Sequence, residues 1–298
     1  MSEMRFFEAA ERYGRKLSDK GRPPCPNRAG VLKRLKEFIG DKPLSEIDKM
    51  FVDDVHYYLA CRKTKTGGTY AVGTIASHLS YLKALLNWAN EAGKLDKVPK
   101  IKVPKGAERD GFLEPFEVEA LIRELDPWRS ELVMFGVHTG LRKKSVSHLR
   151  WDQLEKDYWE VCIEGVETKN GKRFRAKLNS DARDVILRQL TKAQRRESKG
   201  IRRSEFVFVR EQSNKPSNAA CDKTWKKAVA RAGLPEGTCF HTLRHTFASW
   251  HVRAEVSDLV IMKMGGWSNT AMLQRYAHIR SAQMEQAVKA FEGMVKIN

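Results

Sequence analysis

Apolar residues in the first third of the chain recur at three- and four-residue intervals, the period of an amphipathic helix. Phe6, Phe7, Ala10 and Tyr13 place a first helix over residues 3–20, broken by the segment GRPPCP from Gly21 to Pro26. A second helix is predicted from Asn27 to Phe38, stopping at Gly40. A third starts near Ser45, with Phe51, Val52, Val55 and Tyr58 on one face, and ends at the turn TKTGG from Thr64 to Gly68. The fourth is longer, from about Tyr70 to Ala92, with Ile75, Leu79, Leu82, Leu85, Leu86 and Trp88 apolar and Gly93 as its C-cap. Together they predict a compact all-α unit over residues 1–95.

Residues 96–111 (DKVPKIKVPKGAERDG) contain two Lys-Val-Pro triplets and no long apolar run, and read as a linker extended by its prolines. A second domain is expected over residues 112–298. Glu114 to Glu124 reads as helix, and Glu131 to His138 is another apolar stretch. The period then changes. Trp159 to Ile163 and Arg173 to Leu178 alternate, and Asn170-Gly171 between them predicts a hairpin. In the tail, Met284, Val288, Phe291 and Val295 fall on one helical stripe. The expected fold is mainly α with a small β-sheet.

Charge narrows the choice of partner. Lys and Arg number 55 against 37 Asp and Glu in 298 residues, a formal +18. Such an excess points to a polyanion, either nucleic acid or an anionic membrane surface. No run of about eighteen apolar residues exists, so no bilayer-spanning helix is expected. The N-terminal MSEMRFFEAAERYGRK is charged and amphipathic, unlike a signal peptide. With 41% hydrophobic residues the charge decorates a folded core, so nucleic acid is favoured over membrane and a cytoplasmic location is expected. Basic side chains in the first unit (Lys33, Arg34, Lys36, Arg62, Lys63, Lys65, Lys83) suit phosphate contacts or a solvated face. The dense run from Arg188 to Arg203 reads as an exposed face, or as a helix turned toward a duplex. Cys25, Cys61, Cys162, Cys221 and Cys239 are scattered, form no C-x-x-C pair, and fit free thiols in a reducing compartment.

The chemistry concentrates between Phe240 and Ile279, FHTLRHTFASWHVRAEVSDLVIMKMGGWSNTAMLQRYAHI. His241 and Arg244 open a predicted helix, Trp267 follows a Gly-Gly turn, and Tyr276 lies nine residues on. A guanidinium grips phosphate oxygens in a planar fork and an imidazole moves protons. An indole donates one more hydrogen bond, and a phenol can attack phosphorus and hold it covalently. Taken singly, the H-x-x-R pair suits a helix cap and the Trp a core anchor. Thr242 is expected to N-cap the helix and set Arg244 in its first turn, near backbone N–H groups that favour an anion. His245, His251 and His278 read as structural.

HTLRHTFAS, then GGW, then LQRYAHI resemble the C-terminal signature of tyrosine recombinases, the phage integrase family. The resemblance is specific from Arg142 onward and looser before, where TIASHLSYLKALLNWANEAGKLD is similar to the last helix of the family's core-binding domain. It implies an N-terminal helical domain gripping double-stranded DNA and a mixed α/β catalytic domain. In HTGLRKK, Arg142 takes the place of the first catalytic arginine. Two arginines can clamp the negative charge of a phosphorane-like transition state where other enzymes use divalent cations. Lys169, in T-K-x-G before the predicted turn, matches the family's hairpin lysine, with Lys172 the competing candidate. That lysine would protonate the departing 5′ oxygen, and His241 would assist proton transfer at the Tyr276 hydroxyl. Trp267 stands where most relatives carry a second histidine. Ser145 stands where many carry an acid, which affects the support of the site rather than a reacting group.

The implied reaction is attack by Tyr276 on the scissile phosphate, leaving a 3′-phosphotyrosyl bond and a free 5′ hydroxyl. A partner strand reverses the step without metal or cofactor. Repeated on four strands by a homotetramer on paired sites, this exchanges two duplexes. The tail would dock on a neighbouring subunit, or pack in cis. A type IB topoisomerase-like nicking-closing enzyme and a non-catalytic DNA-binding protein of the same fold are the alternatives.

Overall fold

The computed structural model describes residues 3–19, 26–64, 67–106, 111–164, 173–210, 214–216, 223–267, 269 and 273–276, and divides the chain into two compact units, Met1–Glu108 and Arg109–Asn298.

The first unit is four helices, α1 (Phe6–Asp19), α2 (Pro26–Ile39), α3 (Lys49–Cys61) and α4 (Val72–Glu91). Its centre is α4, which packs against the other three. Leu79, Leu82, Leu85, Leu86 and Ala89 repeat at helical spacing and are buried. Truncating one of these leucines to alanine would cost about 2–5 kcal/mol. A 3-10 turn at Leu44–Glu46 precedes α3, and the Asp48 carboxylate accepts from Phe51 N at 2.8 Å as its cap. Helix α3 therefore starts later than the apolar pattern implies. Helix α4 ends as predicted, with Gly93 at φ +65° and Lys94 N donating to Ala89 O at 2.9 Å. The segment expected as a linker packs in part on this unit. Ile101 is buried in this core with Val98 and Val103 packed against it, and Asn90 Nδ2 donates to the carbonyls of Leu95 and Asp96. Prolines keep it irregular, but its apolar side chains are drawn onto the bundle.

The second unit has α5 (Pro115–Arg123), α6 (Pro127–Thr139), α7 (Lys143–Ser147), strands β1 (Leu154–Glu155), β2 (Glu160–Ile163) and β3 (Phe174–Lys177), then α8 (Ser180–Glu197), α9 (Lys223–Arg231), α10 (Phe240–Arg253), α11 (Asp258–Gly265) and a 3-10 turn at Gln274–Tyr276. The core forms where α6 packs on α8 and α10. Helix α6 is longer than its apolar stretch because Asp126 caps it, accepting from Arg129 N at 3.2 Å, with Pro127 in the first turn. It ends at Gly140, φ +60°, where a side chain would also collide with the Phe247 ring. The sheet is antiparallel in the order β1-β2-β3, with Glu160 opposite Lys177 and Ile163 opposite Phe174. The predicted hairpin is therefore present, and its Asn170-Gly171 turn lies outside the described residues. Much of the Arg188–Arg203 run is in α8, whose Arg188, Gln189 and Lys192 side chains bond the Glu131 carboxylate.

Candidate active site

Helix α10 positions the site, and it is anchored before any chemistry is considered. Thr246 Oγ1 accepts from Leu113 N at 2.9 Å, and Trp250 Nε1 donates to Leu113 O at 3.0 Å. The helix begins earlier than expected. Cys239 is the N-cap, and Thr242, the third helical residue, accepts from Cys239 N at 3.0 Å through Oγ1. Arg244 consequently lies beyond the first turn and reaches inward, rather than sharing the helix's free N–H groups.

Arg244 is 3% exposed. Its Nη1 donates to the carbonyls of Gly140 and Gly265, the latter at 2.6 Å. Gly140 caps the C-terminus of α6 and Gly265 is the last residue of α11, so the cation meets the negative ends of two helices. Its Cζ lies 3.8 Å from the centre of the Trp267 ring, a cation–π contact in a desolvated place. Nη2 is buried and has no hydrogen-bond partner among the described residues. Leaving a buried polar group unsatisfied costs about 1–3 kcal/mol, more for a charged one. A group held in that state is a ready donor for an anion. Burial, and next the Arg142 charge, push Arg244 down to about 9, while Tyr276 acts the other way. The guanidinium thus stays charged at neutral pH, and both Arg142 and Tyr276 lie within electrostatic reach of it. Arg142, half-buried, is the N-cap of α7, two residues beyond Gly140.

The Gly265-Gly266 turn gives Trp267 its place. A Cβ on Gly265 would fall 1.8 Å from Trp267 Cζ3, so the indole can fold back over α11 only above a glycine. Gly266 adopts φ +65° and faces the ring of Phe174 on β3. Trp267 stacks on Phe247 as well, with ring centres 6.3 Å apart.

Tyr276 is 3% exposed, and its hydroxyl lies 2.7 Å from Nδ1 of His245, itself buried. His241 is exposed in the first turn of α10, and its ring meets that of His245 edge-on, centres 4.7 Å apart. The structure therefore brings together Arg142, Arg244, Trp267 and Tyr276, with His241 joined through His245. His245, expected to be structural, is buried and hydrogen-bonded to the Tyr276 phenol. Its four-residue spacing from His241 on one helix face was the available signal. Lys169, Lys172 and the tail stripe lie outside the described residues. Among the described residues no group of three or more His, Cys, Asp or Glu could hold a metal ion, and no helix is long and apolar enough to cross a membrane.

The sequence profile of the phage integrase family matches residues 111–283, and that of the phage integrase SAM-like domain matches residues 5–103. The integrase of Salmonella phage P22 is 34% identical over 237 residues, covering 75% of this chain. The chain spans 58% of that relative's length. Two solved structures share the fold. The Tn1549 transposon integrase in complex with a circular intermediate DNA gives a TM-score of 0.69 at 18% identity, covering 93% of this chain and 99% of its own. The lambda integrase dimer bound to a COC′ core site gives 0.69 at 17%, covering 92% and 95%. The chain belongs to the phage integrase family. A type IB topoisomerase-like enzyme and a non-catalytic binder are not favoured by these relatives.

Proposed function

We propose that this chain is a site-specific DNA recombinase that cuts and rejoins strands through a 3′-phosphotyrosyl intermediate on Tyr276. The observation that carries the reading is the orphaned Nη2 of Arg244, charged and buried within electrostatic reach of Arg142 and Tyr276. Two fixed guanidinia neutralise the non-bridging oxygens as charge builds in the transition state. Trp267 backs Arg244 and supplies a donor but cannot shuttle a proton. His241 assists proton transfer at the Tyr276 hydroxyl, and Lys169 protonates the departing 5′ oxygen. The 3′ phosphoester conserves the bond energy, so a 5′ hydroxyl from a second strand reverses the step. Neither metal nor nucleotide enters the scheme. Double-stranded DNA is the substrate, and the excess of 18 positive charges gives binding that weakens steeply with salt. Residues 1–95 form the core-binding domain, residues 96–111 join it to the catalytic domain at 112–298, a homotetramer assembles on paired sites, and the protein acts in the cytoplasm.

The test is incubation with a nicked duplex carrying the site that this protein selects from a random library. A protein–DNA adduct linked to the 3′ phosphate is expected. Tyr276→Phe should abolish it with DNA binding intact, and an adduct persisting in that variant would mean another nucleophile.

A further inference from the structure

The basic run from Arg188 to Arg203 plays no part in the chemistry at Tyr276. It borders a cavity of about 370 Å³ in the second unit, between the C-terminal half of α8, the segment 202–209 and Trp151. None of the candidate catalytic residues lines it. Its apolar surface comes from Trp151, Ala193, Phe206, Val207 and Val209. Lys192, Arg195, Arg196, Arg202 and Arg203 complete the lining, and none of the described residues that line it is acidic.

The frame around the cavity is fixed by the backbone. Gly200, at φ +76°, closes α8, and Ile201 N donates to Arg196 O at 3.0 Å, which turns the chain back along the helix end. Asn214 holds the returning segment. Its Nδ2 donates to Arg202 O at 2.9 Å, its Oδ1 accepts from Arg196 Nη2 at 2.7 Å, and its carbonyl accepts from Ser204 Oγ at 2.7 Å. The opposite wall is tied to the residues after α7, with Trp151 N donating to Glu205 O at 3.0 Å and Val207 N to Leu149 O at 2.7 Å. A hollow built this way is pre-formed, so little order has to be bought when it fills. Three of the cations are engaged. Lys192 bonds Glu131, Arg196 bonds Asn214, and Arg203 lies 4.0 Å from Glu197 and 4.9 Å from the centre of the Trp151 ring. Arg195 and Arg202 are exposed, with no side-chain hydrogen bond or ion pair among the described residues.

Contacts to a duplex backbone need cations but no apolar recess, and a merely solvated basic face needs no recess either. An aromatic hollow ringed by arginines matches a different occupant, because buried aromatic anchors and arginines carry most of the energy at protein interfaces. The ring of positive charge selects the sign of that occupant. We propose that this cavity docks an acidic segment of another protein, which seats one bulky apolar side chain against Trp151 and Phe206 while its carboxylates pair with Arg195 and Arg202. The assignment stands apart from the reaction at Tyr276.

The experiment selects short random peptides, displayed on phage, against the full chain saturated with a mixed-sequence duplex, so that surfaces for DNA are already occupied. The selected peptides should converge on an aromatic or branched apolar residue flanked by Asp or Glu. Their synthetic forms are then titrated by calorimetry with the duplex present. Affinity should fall about tenfold or more in the double variant Arg195→Ala with Arg202→Ala. Alanine in place of the peptide's apolar residue should cost as much, since charge alone leaves the recess empty. Arg15→Ala with Arg123→Ala removes two exposed cations elsewhere and should leave the affinity unchanged. All four side chains are exposed, so each double variant should keep the wild-type denaturation midpoint. An equal loss in both double variants would mean general attraction of acids to a basic protein, and overturns the proposal. Selection without an acidic-apolar consensus overturns it, as does binding that survives Arg195→Ala with Arg202→Ala. A comparable loss of duplex affinity in that variant would assign the face to DNA and overturn it too.

Discussion

The guanidinium carbon of Arg244 lies 3.8 Å from the centre of the Trp267 ring, and the turn that places Trp267 also supplies the Gly265 carbonyl that receives Arg244 Nη1. One short stretch of backbone thus holds both members of the pair. Replacing Trp267 by alanine removes a buried aromatic and the face on which the cation rests. We expect a loss of about 3–5 kcal/mol in unfolding free energy, read by urea denaturation. Trp267→His keeps an N–H donor and should retain more cleavage than Trp267→Ala at equal folded concentration.

Arg244→Lys keeps the charge and loses the fork. One ammonium cannot satisfy two helix-end carbonyls and a phosphate at the positions the five guanidinium donors reach. Cleavage should fall about 10²–10³-fold, the usual cost of one lost transition-state donor. DNA affinity, measured by titration at fixed salt, should move far less. Equal losses in both would place Arg244 in ground-state binding.

Gly265→Ala drives a methyl group into the Trp267 ring, 1.8 Å from Cζ3. Overpacking of this kind costs about 1–3 kcal/mol. Because the strain falls on Trp267, the variant should lose strand cleavage beyond what its denaturation midpoint predicts. A variant that melts lower yet cleaves normally would separate the turn from the site.

A pH effect is expected in the first unit. His78 is 1% exposed, its Nδ1 lies 2.7 Å from Thr74 O, and its Nε2 has no partner among the described residues. Since a carbonyl only accepts, Nδ1 carries the proton and the ring is neutral. Burial lowers its pKa from the ordinary value, the Thr74 carbonyl pulls it back in part, and the Arg34 and Arg62 charges add smaller downward pushes. The folded state therefore binds a proton less readily than the unfolded chain. Stability is fully present above about pH 6.5, the unfolded value, and is lost as pH falls through that window. Denaturation midpoints taken from pH 7.5 to 5 should decline for the wild type, and the decline should be smaller for His78→Gln. Equal slopes would assign the pH dependence to other groups.

How much of this was legible in the sequence depended on local periodicity. Leu79, Leu82 and Leu86 give α4 directly, and the alternation about Asn170-Gly171 gives the two strands. Helix α11 was hidden because Leu259 and Val260 face solvent while Ile261 and Gly265 are buried, so no apolar stripe marks it. Helix α9 does carry a stripe, Trp225, Ala228 and Val229, but it is short and set among lysines. Caps were readable in kind and misplaced by position: Thr242 bonds the start of α10 from inside the helix, three residues past the true cap at Cys239. Arg142, Arg244, Trp267 and Tyr276 were picked out together by their order along the chain, and the fold sets them near one another. What lay beyond was the partner of each. Which imidazole meets Tyr276 is decided by a 3-10 turn far along the chain, and only the folded molecule shows it.

Phe174, at the start of β3, rests on Gly266, and the adjoining Gly265 carbonyl steadies Arg244. A displacement of Phe174 on β3 would therefore be felt within two residues at the carbonyl that fixes Arg244. The position of β3 and the aim of the Arg244 guanidinium are tied together through a single glycine turn.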